Sequence, residues 1–209
     1  ARRRLERQLH EAFGELLGLT EAENRTALEF GLRAQREFHD RCRRRGQAVL
    51  GRAMRSRRAV AVLLARPYHA DPGVQHGMST ELAARGVPVL GISSLPIEDE
   101  RSRDLSGVLP LSTNSGCAEK IWAARVVAGT PNLVAVDLSS FRCGQDASIL
   151  GGRGDELARA GRPILRMHDL DEDRPGVSFR LRVETFLDGV HAYERDALVR
   201  SLDAAGVRS

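Results

Sequence analysis

The segment Ala59-Val60-Ala61-Val62-Leu63-Leu64-Ala65 is a continuous apolar run with no helical period. Such a run reads as a strand buried on both faces, which is what a parallel sheet covered by helices requires. Val87-Pro88-Val89-Leu90-Gly91-Ile92, Leu133-Val134-Ala135-Val136-Asp137-Leu138 and Pro163-Ile164-Leu165-Arg166-Met167 repeat the pattern downstream. Between and after these runs the spacing predicts helices over about 74–85, 116–128, 153–160 and 178–204. Repeated strand, loop, helix, strand units imply right-handed parallel crossovers. The expected fold is therefore α/β, a three-layer Rossmann-like or flavodoxin-like sheet of about four parallel strands.

Upstream of Arg58 the pattern is helical. Leu5, Leu9, Phe13, Leu16 and Leu17 share one stripe of a helix over 1–17, and Gly18 stops it. Thr20 and Glu23 have the spacing of a capping box, opening a long helix over about 21–55. Its apolar positions are Leu28, Leu32, Phe38, Cys42, Val49 and Leu50, and Arg43-Arg44-Arg45 reads as its solvated face. The chain thus divides into a helical arm, 1–58, and an α/β domain, 59–209. It opens on Ala within a helical pattern, so we read it as a piece of a longer polypeptide.

Composition narrows the class. The chain has 209 residues, 42% hydrophobic and 29% charged, with 32 Lys+Arg against 28 Asp+Glu. That mixture excludes a disordered tail, a collagen-like repeat and a disulfide scaffold. No apolar run is long enough for a membrane span. The charge is uneven: the formal balance is +7 over 1–58 and −3 over 59–209, and Lys120 is the sole lysine. An arginine skew of this kind reflects composition bias as readily as a polyanion partner, so neither nucleic acid nor a membrane is expected. Cys42, Cys117 and Cys143 form no CxxC pair, and a reducing, cytoplasmic location fits them. Cys42 and Cys117 read as small buried hydrophobes and Trp122 as core.

In open α/β sheets reactive residues lie on loops beyond the carboxyl ends of the strands, here 66–77, 93–99 and 139–147. The first loop holds Arg66, Tyr68, His69, Asp71, His76 and Gly77. It admits two readings. One is an anion-binding loop running into a helix N-terminus. The other is a stiff loop in which Pro67 and Pro72 set the backbone, Asp71 makes a turn and the histidines satisfy backbone groups. Neither a GxGxxG nor a GxxxxGK[ST] motif is present. In the third loop Cys143 follows a strand beside Arg142, a setting that suits a thiolate ligand or a nucleophile and equally a small buried hydrophobe. One thiol cannot hold an iron–sulfur cluster, so other ligands would have to come from elsewhere. His168, Asp169, Asp171, Glu172 and Asp173 could bind a hard cation, but read as a solvated loop and helix cap.

The segments AVAVLLARPYHADPGVQHGMSTELAARGVPVLGISSLP, TPNLVAVDLSSFRCGQDAS, GRPILRMHDLDED and RLRVETFLDGV resemble the activase-related domain of the 2-hydroxyacyl-CoA dehydratase system. With the helix ALEFGLRAQREFHDRCRRRG the resemblance spans about 25–192. Arg66, Pro67, Tyr68, His69, Asp71, Pro72, His76 and Gly77 match the family's GRPYHxxDPxxNHG motif. Ser94, Leu95 and Pro96 match the end of its DSLP motif, and Phe141, Cys143, Gly144 and Asp146 match its (S/N)FxCGPD motif. Ala65, Gln75, Ser93 and Gln145 stand where the family has Gly, Asn, Asp and Pro. The resemblance implies a module of an ATP-driven iron–sulfur electron-transfer machine. Cys143 would then be a ligand of a 4Fe–4S cluster shared with other domains, or a redox thiol. Arg66, Tyr68, His69, Asp71, His76, Gly77 and Ser94 would form the anionic-ligand or cluster environment. ATP would bind elsewhere in the parent protein, and a dehydratase-type iron–sulfur protein would be the partner. Two other functions are compatible with the residues: a non-catalytic docking domain of the same large protein, and a phosphate- or CoA-binding module.

Overall fold

The computed structural model describes residues 2–95, 115–139, 156–168 and 176–204. Four strands form one parallel sheet: β1 (Val60–Leu64), β2 (Val89–Gly91), β3 (Leu133–Leu138) and β4 (Ile164–Met167), in the order β2-β1-β3-β4. Ala61 pairs with Val89 and Val134, and Val136 pairs with Leu165. Every residue of β1 and β3 is buried, as their near-continuous apolar character favours, Asp137 being the one charged exception in composition.

The helices are α1 (Arg2–Leu17), α2 (Glu21–Arg55), α3 (Met78–Ala84), α4 (Ser115–Gly129) and α5 (Val177–Ala204). Alternation along the strands sorts the core into two layers. Ala61, Leu63, Val134, Val136 and Leu165 pack with Met78 and Leu82 of α3 and with Phe179, Val183, Phe186 and Val190 of α5. Val60, Val62, Leu64, Leu133 and Ala135 pack with Trp122, Ala123 and Val127 of α4, with Ala53 of α2 and with Leu157. Chain order explains the split. The step from β1 to β2 runs one way along the sheet and the step from β2 to β3 the other, so crossovers of one hand put α3 and α4 on opposite faces. The expected three-layer α/β fold is therefore the observed one. The reversal in strand order falls between β1 and β3, the point at which such sheets open a crevice.

The arm is a hairpin of α1 and α2 rooted in the body through the C-terminal end of α2. Gly46 is the root: a Cβ built there would lie 1.7 Å from the carbonyl oxygen of Ser94. Only glycine lets the helix backbone approach the Ile92–Ser94 turn this closely. At its other end α2 opens on the capping box expected from Thr20 and Glu23. The backbone N–H of Thr20 donates to Glu23 Oε2 at 2.9 Å, the Thr20 hydroxyl donates to the same oxygen at 2.7 Å, and Glu23 N–H donates back to Thr20 Oγ1 at 3.3 Å. The bonds from Thr20, the backbone one first, hold the Glu23 carboxyl below its ordinary range. Because the folded value is the lower one, this contribution is present above the unfolded-chain value and fades as the pH falls through the folded one. Thr20→Ala should cost about 1 kcal/mol in urea unfolding at neutral pH, with the deficit narrowing toward acid.

Two boundaries differ from the sequence reading. The helix expected over 74–85 spans only Met78–Ala84, because residues 72–77 form consecutive turns. His76 and Gly77 both take positive φ, 50° and 71°, which no α-helix accepts. The strand expected over 87–92 keeps Val89–Gly91, and Ile92–Ser94 winds into a 3₁₀ turn against α2. Residues 156–159 are helical, the described part of the helix expected over 153–160.

Candidate functional site

The switch point at the carboxyl ends of β1 and β3 collects polar groups. Helix α4 lies over it, and the burial of Cys117, Ala118, Ile121, Trp122, Ala123, Ala124 and Val127 leaves little of that helix in water. Among these residues sits Lys120, with none of its side chain exposed. Its Nζ donates to the Leu138 carbonyl at 2.8 Å and pairs with Asp137 Oδ1 at 3.2 Å. Asp137, the one charge in β3, is itself only 3% exposed and points to the same face as Leu133 and Ala135. Its other oxygen, Oδ2, lies 3.3 Å from Nε2 of His168, which directly follows β4. Two opposite charges out of water tolerate each other only when paired and hydrogen-bonded, as here.

Arg66, just past β1, is half-buried and donates from a guanidinium nitrogen to Cys117 Sγ at 3.2 Å. The buried thiol of Cys117 is thus a hydrogen-bond acceptor in the first turn of α4. Cys117 is buried in an apolar cluster with Ile121, as expected of a small buried hydrophobe, and the bond from Arg66 is an addition to that role. Trp122 is core, as expected, and Cys42 is half-buried on α2.

The expected first-loop residues divide. His69 is buried, and its Nδ1 accepts the Arg66 backbone N–H at 3.3 Å, so that nitrogen carries no proton in this bond. Tyr68 is exposed and stacks on His69 with ring centroids 4.3 Å apart. Asp71 is exposed and closes a turn: its Oδ1 accepts from Gly73 N–H at 2.8 Å and Val74 N–H at 3.1 Å. His76 is half-buried, and Gly77 is the residue before the first turn of α3. Gln75 is buried, and its Oε1 accepts from Ser79 N–H at 3.0 Å and from the Ser79 hydroxyl. Ser94 lies in the 92–94 turn with its carbonyl against Gly46. Cys143 lies outside the described residues, as do Asp169, Asp171, Glu172 and Asp173.

His168 does not belong to a purely solvated loop, since it reaches back to Asp137. Lys120, Asp137 and His168 were missing from the expected site. Two of them carried a signal in the sequence. Lys120 is the only lysine and falls among the apolar residues of a helix, and Asp137 is the only charge in an apolar strand. Among the described residues no group of three or more His, Cys, Asp or Glu side chains is placed to hold a metal ion. None of their helices is long and apolar enough to cross a membrane.

Comparison with known proteins bears mainly on the first half of the chain. No curated protein and no solved structure matches. Residues 1–95 match the family model of the CoA enzyme activase uncharacterised domain. That span takes in α1, α2, β1, the 66–77 loop and β2, and ends before α4. Over these 95 of its 209 residues the chain is similar to that activase-related domain.

Proposed function

We propose that this chain is a non-autonomous module of an activase-type machine that drives low-potential electron transfer with ATP hydrolysed elsewhere in the system. Its contribution is the crevice face, with Cys143 as one thiolate ligand of an iron–sulfur cluster that other domains complete. One observation supports this reading. The loop bearing Cys143 leaves the sheet at Ser139, a buried residue at the switch point whose N–H donates to Met167 O at 3.0 Å. The loop therefore starts among the Arg66–Cys117 and Lys120–Asp137–His168 contacts. The described residues do not fit a cluster by themselves, since Cys117 is enclosed and no three-ligand group stands near it. When bound, a cluster would supply one-electron chemistry.

Iron and sulfide analysis of the anaerobically purified parent protein tests the proposal, with Cys143→Ser alongside. The expected result is iron and sulfide in the native protein and their loss in the variant. Iron content that the substitution leaves unchanged would overturn the ligand assignment. A second reading, a docking domain without chemistry, is favoured by the exposed Phe13, Leu16, Leu17, Phe30 and Phe38 on the basic arm. A folded, iron-free parent would decide for it.

A further inference from the structure

The cluster reading leaves the Lys120–Asp137–His168 group without a task. Lys120 and Asp137 cancel each other's charge inside the protein, but His168 is different, with 31% of its side chain exposed. When its Nε2 donates to Asp137, Nδ1 is the ring nitrogen left for a ligand. An imidazole braced by a carboxylate on one side binds an anion on the other by taking up a proton, which makes the new bond charge-assisted.

The strand ends supply the rest. Leu64 pairs with Asp137 and Leu138 with Met167, so Arg66 and His168 continue β1 and β4 on either side of Ser139. Contacts with Cys117 and Asp137 put both side chains on the face that α4 covers. Among the described residues, the charged groups at these strand ends are Asp137 of β3, Lys120 of α4, Arg66 just past β1 and the exposed Arg166 of β4 itself. With Lys120 and Asp137 cancelled, the charge left among these described groups is positive.

We infer that the carboxyl ends of β1, β3 and β4 form an oxyanion site, in which His168 contacts the ligand, Asp137 orients its ring and Arg66 supplies positive charge. The ligand class is a phosphate-like group, either free or carried on a nucleotide-containing molecule. The site needs no cluster, so it is tested without iron and its failure is distinct from failure of the redox reading.

Isothermal titration of the full chain with inorganic sulfate, whose charge is constant near neutral pH, should show saturable binding. Heats in buffers of different ionisation enthalpy should reveal proton uptake. His168→Gln should weaken binding by about tenfold or more, the loss of one charge-assisted bond, and abolish the uptake. Arg66→Lys, which keeps the charge and removes the planar fork, should weaken binding several-fold and retain the uptake. Inorganic phosphate and CoA, titrated in parallel, distinguish a free from a carried phosphate by which binds tighter. The inference is overturned if the folded protein binds none of these anions. It is equally overturned if His168→Gln, or Arg66→Lys where the first variant does not fold, leaves binding unchanged.

Discussion

Lys120→Met should destabilise the protein by about 3–5 kcal/mol, the cost of leaving a buried carboxylate without its cation. Asp137 is 3% exposed and cannot turn to water, and Leu138 would lose the donor that reaches its carbonyl at 2.8 Å. Against a total stability of roughly 5–15 kcal/mol the loss is severe, and the melting temperature should fall by many degrees. His168 at 3.3 Å compensates only in part, because its ring is shared with solvent. The double variant Lys120→Met, Asp137→Leu should recover much of the loss, since an apolar pair of similar volume removes the buried charge. Urea unfolding of the two single variants and the double closes the cycle. A double variant no better than Lys120→Met would show that the lysine acts through packing rather than through its charge.

Gly46→Ala should also be costly, about 3 kcal/mol or more, and for a purely steric reason. The added Cβ would meet the Ser94 carbonyl oxygen at 1.7 Å and its carbon at 2.8 Å, and both are backbone atoms that cannot rotate away. Either α2 lifts off the Ile92–Ser94 turn or β2 shifts, and both disturb the layer containing Ala53, Leu90 and Leu95. Gly31 is the internal control. It lies in the same helix with nothing within 4 Å of its would-be Cβ, so Gly31→Ala should stabilise by about 1 kcal/mol through helix propensity alone. Opposite signs for one substitution in one helix, read as urea midpoints, would establish Gly46 as the contact that seats the arm. Equal effects would refute it.

Legibility in the sequence followed the range of the interactions. The helix spacing of 21–55, the Thr20–Glu23 box and the apolar strand at 133–138 are local patterns, and all three appear where the residues place them. The start of α3 was hidden, because positive φ at His76 is set by the turns of residues 72–77 and not by any helical period. The expected site was partly legible. Arg66 and His69 do stand at the end of β1, whereas Asp71 spends its carboxylate on its own turn.

By itself, then, the sequence determined the layers, the parallel strands and the end of the sheet on which chemistry would sit. Those follow from hydrophobic period and chain order, which neighbouring residues carry. Only the tertiary structure decided which charges meet. Lys120 and Asp137 are 17 residues apart, and Asp137 and His168 a further 31. Nothing local in either residue's surroundings names the other. They pair because α4 folds back over β3, and because a buried charge is stable only beside its opposite.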